Sequence, residues 1–203
     1  MTQTSTHAAE SEISVRRMLI VGPPGAGKGT QAARLAQTLG IPAISTGDIF
    51  RANVAEETEL GVLAKSYMDA GEYVPDEVTN DMVKDRLAQD DARDGFLLDG
   101  YPRTREQVKA LDAILKTDGK SLEAVVQLVV DVDEVVQRLV RRGTDEGRSD
   151  DTEETIRHRM KVYERETAPV VATYETRGLV RHVNGMQSVD AVTEAILQDL
   201  ATL

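Results

Sequence analysis

At 203 residues the chain has the length of one full domain, enough to bury a substantial core. Lys and Arg total 24 against 35 Asp and Glu, a formal net charge of -11, so the surface as a whole repels a phosphate polymer and nucleic acid is not an expected partner. Five Tyr, two Phe and no Trp leave little for a base-stacking platform, and the lack of cysteine excludes disulfides, iron–sulfur clusters and thiolate catalysis, as fits a reducing cytoplasm.

Residues 1–15 are rich in Thr, Ser, Ala and Glu with little periodicity, and are expected to be a disordered tail before a single domain over 16–203. They lack the apolar segment of a signal peptide, and no apolar run reaches the roughly 18 residues of a membrane helix. A soluble, cytoplasmic protein is expected. Met18 to Val21 reads as a strand buried on both faces, broken by the glycines of 22–29. Ala32, Leu35, Ala36 and Leu39 then follow helical spacing up to Gly40, and Ile41 to Ile44 reads as a second strand.

Residues 46–74 form a polar, mostly helical excursion, and Pro75-Asp76 opens a helix to about Gln89. Phe96 to Leu98 is a third buried strand carrying Asp99 at its carboxyl end. A helix over Thr104–Leu115, a strand over Ala124–Val130 and a helix over Asp133–Arg142 follow. The stretch from Gly143 to Arg148 holds two glycines and no apolar residue, which predicts an exposed, mobile loop. Asp151 with Glu154 resembles a capping box opening a long helix to about Glu175, before a strand at Leu179–Val183 and a helix over Ser188–Leu200. Strands alternating with helices predict an α/β fold: a three-layer arrangement in which a five-stranded parallel sheet is covered by helices on both faces.

Gly22-Pro23-Pro24-Gly25-Ala26-Gly27-Lys28 satisfies G-x-x-x-x-G-K between a predicted strand and a predicted helix. Glycines let backbone N–H groups turn inward around phosphates, the helix start adds partial positive charge, and Lys28 can reach the outer phosphates. The next residue is Gly29 where the general motif has Ser or Thr, with Thr30 one place later. Magnesium is therefore expected on the nucleotide, with Asp99 or Thr30 reaching it through water. The Asn-Lys-x-Asp sequence of guanine readers is absent, which disfavours a GTP switch. Arg103 closely follows the strand ending at Asp99, pointing to the crevice where open α/β sheets bind ligands.

The phosphate loop, Ser45-Thr46-Gly47-Asp48 with Arg51, the stretch Gly95 to Thr104 with Gln107, Gly147 to Asp151, and Arg157-His158-Arg159 together resemble adenylate kinase. The resemblance implies a phosphate-loop NTPase core over 16–44, 75–140 and 151–203, an AMP-binding insertion over 45–74 and a short lid over 141–150. It implies ATP held by Gly25, Ala26, Gly27, Lys28, Gly29, Thr30, Arg138, Arg142 and Gln187. AMP is then held by Thr46, Arg51, Glu72, Tyr73, Val74, Gly100, Tyr101, Pro102, Arg103, Gln107, Arg148 and Arg159. Lys28, Arg103, Arg142, Arg148 and Arg159 are the implied catalytic set, with Mg2+ on ATP. The short lid and missing cysteines imply no zinc. A monomer acting on ATP, AMP and ADP is the expected form.

Helical spacing supports Arg159 separately, because it lies at the edge of the stripe Ile156, Met160, Tyr163 and Thr167. Two other readings remain open: a kinase with UMP or CMP as acceptor, and a non-catalytic ATP-binding regulatory module. Thr46 with Gln107 favours AMP, since relatives that prefer pyrimidines tend to carry Ala at the position of Thr46. The several arginines assigned to an acceptor phosphate disfavour the module.

Overall fold

The computed structural model describes residues 13–146 and 152–203, with 141–146 described as backbone. Residues 1–12 of the expected tail, Arg148, Asp151 and the side chain of Arg142 lie outside that description. Among the described residues five strands build one sheet: β1 (Arg17–Val21), β2 (Ala43–Ser45), β3 (Phe96–Asp99), β4 (Ala124–Val129) and β5 (Val180–Asn184). Every pairing is parallel and the spatial order is β2-β3-β1-β4-β5. Parallel strands need a crossover between them, and helices supply it on both faces.

The period of two along each strand decides which layer receives each side chain. Met18 and Ile20 of β1 face one way with Leu97, Val126 and Leu128, and meet α1 (Lys28–Leu39) and α9 (Val189–Leu200) through Leu35, Val192 and Ile196. Leu19 and Val21 face the other way with Phe96, Leu98 and Val125. They meet α4 (Asp76–Leu87), α5 (Arg105–Thr117) and α8 (Ala168–Glu175) through Val83, Leu111 and Tyr174. The core reaches further toward the amino terminus than expected: Val15 is 3% exposed within the first layer and Ile13 packs against it, so these two residues belong to the packed domain although the expected tail spanned 1–15.

Two helices, α2 (Thr46–Ala55) and α3 (Glu59–Ala70), form the excursion after β2 around a small cluster in which Phe50 and Ala64 meet Val74 of the segment that follows. Gly61 is what lets them touch, because a Cβ there would lie 2.0 Å from the carbonyl oxygen of Asn53. Helix α6 (Val132–Glu146) packs Val135 and Leu139 against Ile156 and Met160 of α7 (Glu153–Val162).

Three expectations shift. Helix α6 continues through Gly143 to Glu146, where a loop was expected, because one glycine costs a helix only about 1 kcal/mol and the backbone bonds continue past it. Helix α7 is capped by Thr152, whose side chain accepts from the Thr155 backbone N–H, one place beyond the expected Asp151. The expected single helix to Glu175 is interrupted by a π turn at Tyr163–Thr167. Pro169, two residues on, has no N–H for the ordinary ladder, and the wider turn absorbs the mismatch.

Candidate active site

The crevice opens at the carboxyl ends of β1 and β3, neighbours whose following helices α1 and α5 pack on opposite faces of the sheet. Ligands of open α/β sheets bind at such a switch point. The turn after β1 places Gly25 and Gly27 at φ of 80° and 88°, and no side chain among the described residues caps the first turn of α1. No acidic residue stands there either, so the N–H groups of the first turn and the helix dipole present an anion site. Lys28 Nζ donates to the carbonyls of Gly22 at 2.8 Å and Pro23 at 3.0 Å, which folds its ammonium over the loop.

One cavity extends from this loop between the α2–α3 excursion and the π turn. Among the described residues its lining holds four cationic side chains, Lys28, Arg51, Arg103 and Arg159, against one carboxylate, Glu72. In a chain of net charge -11 such a concentration selects small, strongly anionic ligands. Arg51 is held by Asp48 at 2.5 Å, and Arg103 Nε donates to the Gly100 carbonyl at 2.7 Å while its guanidinium lies 4.8 Å from the centre of the Tyr73 ring. Gly100, at φ 81°, is required for this arrangement: a Cβ there would come within 2.8 Å of both Arg103 Nη2 and Thr46 Oγ1.

The far wall is less charged. Thr46, Val74, Tyr101 and Gln107 are all buried there. Thr46 Oγ1 donates to the Gly100 carbonyl at 3.0 Å, and Tyr101 donates its hydroxyl to Asn80 Oδ1 at 2.7 Å. Burial pushes the Tyr101 phenol well above its ordinary value and Tyr163 up to about 12, so both remain neutral hydrogen-bonding groups at physiological pH. Asp99, at the end of β3, is a carboxyl under the same influence. Burial raises its pKa although Lys28 and Arg103 oppose the shift.

Most of the implied site residues therefore gather in one place: Lys28, Thr46, Arg51, the stretch 72–74, the stretch 100–103, Gln107 and Arg159 line the cavity. Gly25, Ala26, Gly27, Gly29 and Thr30 form the loop and helix start beside it. Arg138 instead reaches back one turn to Glu134 at 2.9 Å, and Gln187 is exposed in the turn before α9. Several contributors went unmarked in the sequence. Asp76 bonds both Gln107 and Thr104, and Thr167 donates to the Arg103 carbonyl at 3.1 Å while meeting the Tyr73 hydroxyl at 2.8 Å. Only the π turn places Thr167 here, and no local pattern announces it. Asp76 carried the signal of an acid at a helix start, which has an ordinary explanation in the helix dipole.

A glycine-rich loop at the switch point of a parallel sheet, opening into a cation-lined cavity, defines a phosphate-loop nucleotide-binding protein of the α/β class. The family model for adenylate kinase matches residues 20–179. The adenylate kinase of Kocuria rhizophila is 60% identical over 184 residues, covering 91% of this chain and 98% of that protein. That of Leifsonia xyli subsp. xyli is 59% identical over 184 residues, 91% of this chain and 92% of the relative, and that of Micrococcus luteus is 60% identical over 182 residues, covering 90% and 89%. The chain belongs to the adenylate kinase family. Among the described residues no helix is long and apolar enough to cross a membrane.

Proposed function

We propose that the chain catalyses reversible transfer of the terminal phosphoryl group of ATP to AMP, giving two ADP, and so balances adenine nucleotides as a cytoplasmic monomer. The observation that carries this reading is the single cavity joining a phosphate loop, through Arg51, Arg103 and Arg159, to the buried polar wall of Thr46 and Gln107.

In this reading Gly25 to Thr30 offer N–H groups to the ATP phosphates and Lys28 draws the outer ones. Arg51 and Arg103 clamp the AMP phosphate, and Thr46, Gln107 and the main chain of 72–74 read its base. Arg159, with Arg142 and Arg148, stabilises the group in flight, while Arg138 and Gln187 serve the ATP adenine. An oxygen of the AMP phosphate attacks the γ-phosphorus, the bond to the bridging oxygen breaks and ADP leaves. The nucleophile is already an anion, so no general base is needed, and positioning and electrostatics carry the catalysis.

A magnesium ion entering with ATP fits the residues present. Asp99 is a half-buried carboxylate within reach of the Lys28 charge, and its Oδ2 would lie 3.7 Å from a Cβ at Gly29, which sets it beside the helix start that carries Thr30. Bound there, it would neutralise charge building on the phosphate oxygens. Residues 45–74 close over AMP and residues 141–150 form a short lid over ATP, without zinc.

Acceptor use decides the matter. AMP, UMP, CMP and GMP are offered at equal concentration with ATP in a coupled assay, and AMP is expected to be used best. A preference for UMP by about tenfold, equivalent to ~1.4 kcal/mol of transition-state binding, would overturn the assignment. Binding of ATP with no turnover on any acceptor would favour a regulatory module.

A further inference from the structure

Gln107 is 2% exposed on α5 and lines the cavity. A carboxamide has two ends of similar shape and opposite hydrogen-bonding sense, so its orientation decides what it can recognise. Here the protein holds both ends. Gln107 Nε2 donates to Asp76 Oδ1 at 2.7 Å, and Gln107 Oε1 accepts from the Arg103 backbone N–H at 2.7 Å. An ionised carboxylate only accepts and a backbone N–H only donates. Reversing the carboxamide would set oxygen against oxygen at Asp76 and N–H against N–H at Arg103, turning two bonds into two repulsions. Asp76 is itself fixed at its second oxygen by Thr104 Oγ1 at 2.8 Å, and Thr104 caps α5 by accepting the Gln107 backbone N–H at 3.1 Å. One N–H and one lone pair of Gln107 are left for a ligand, in a fixed order.

We infer that Asp76 is a specificity-determining positioning residue, holding Gln107 in the orientation that pairs with a 6-aminopurine and opposes a 6-oxopurine. The inference rests on the reading of Gln107 as a group that recognises the acceptor base. Adenine presents a donor at its 6-amino group and an acceptor at N1, whereas hypoxanthine presents an acceptor at O6 and a donor at N1. The two bases have nearly the same shape, so hydrogen-bonding sense alone separates AMP from IMP at this wall. Hydrogen bonds to charged groups contribute enough for such a choice, about tenfold to a hundredfold in an equilibrium.

The test compares kcat/KM for AMP and IMP in the parent, Asp76→Asn, Asp76→Ser and Gln107→Leu, with KM for ATP measured alongside. Asparagine is close to aspartate in shape and can present either an acceptor or a donor, so it releases the orientation. Asp76→Asn is expected to raise the IMP-to-AMP ratio by about tenfold, with KM for ATP unchanged. Gln107→Leu is expected to lower AMP efficiency and to bring the ratio near one. If Gln107→Leu leaves the ratio as in the parent, the base-recognition reading itself fails. If Gln107→Leu collapses the ratio while neither Asp76 variant moves it, that reading stands and the role of Asp76 is overturned. Should the Asp76 variants not fold, NMR of the parent decides: a Gln107 carboxamide proton shifted downfield and slow to exchange supports the inference, and a freely exchanging pair overturns it.

Discussion

Asp99 places a carboxylate in conflict with its surroundings, because burial raises its pKa and Lys28 and Arg103 only partly offset the effect. With the folded value above the ordinary one of 3.8, the native protein binds the proton more tightly than the unfolded chain across the interval between them. Stability falls as pH rises through that interval, and the penalty is complete above it. Asp99→Asn removes the titrating carboxyl. Thermal denaturation should show the ligand-free variant melting above the parent at neutral pH, with the difference shrinking as pH is lowered toward the ordinary carboxylate value, while activity with magnesium and ATP falls. A variant that melts below the parent at neutral pH would contradict the burial argument. Arg103 tests the opposite charge. Its guanidinium is fixed by the Gly100 carbonyl and the Tyr73 ring, and Arg103→Ala should lower turnover on the order of a thousandfold, by analogy with arginines that stabilise phosphoryl transfer. Steady-state kinetics on a variant with unchanged melting temperature would check this.

The α2–α3 pair folds around Phe50 and Ala64, joined by Val74, with Val78 and Met82 of α4 packed against the same cluster. Its closest internal approach is at Gly61, where a Cβ would stand 2.0 Å from the Asn53 oxygen and 2.6 Å from the Val54 nitrogen, both backbone atoms that cannot swing aside. Gly61→Ala must therefore push the two helices apart. The expected result is faster amide exchange within residues 46–70 and a KM for AMP raised several-fold, with KM for ATP unchanged. Equal effects on both substrates would mean that the pair does not serve AMP alone. The exit of the same pair is joined to α7 and the π turn. Glu72 meets His158 at 2.6 Å, Tyr73 meets Thr167, and Gly71 packs under Arg159 and Thr155. The π turn thus connects the excursion to the arginine wall, a placement consistent with the frequent occurrence of such turns at functional sites.

Across the whole molecule, a net charge of -11 surrounds a cavity whose described lining residues include four cations and one carboxylate. The exterior discourages polymeric phosphate, while the interior attracts mononucleotides over distances that salt shortens. A kinase built this way must keep water from the γ-phosphate until the acceptor arrives, which requires closure of the surface segments. With ATP alone, phosphate release should be far slower than phosphorylation of AMP under the same conditions. Comparable rates in a phosphate-release assay would show that closure does not exclude water.

What the sequence determined by itself was everything carried by neighbours along the chain. The apolar runs 18–21 and 96–98 specify buried parallel strands, and spacing alone marks the phosphate loop and Lys28. Arg103 and Arg159 were legible because an arginine beside a strand end or at the edge of an apolar stripe has few places to point, whereas Arg51 was implied only by the resemblance to adenylate kinase. Tertiary structure decided the rest. Asp76 and Gln107 are 31 positions apart and Tyr73 and Thr167 are 94 apart, so no local pattern could pair them. The end of α6, the cap at Thr152 and the π turn depend on backbone bonding, where neighbouring choices differ by only about 1 kcal/mol and packing selects among them. Chain order accounts for which groups exist; only the packed fold accounts for which of them face one another, because orientation is set by contacts between segments that the sequence keeps far apart.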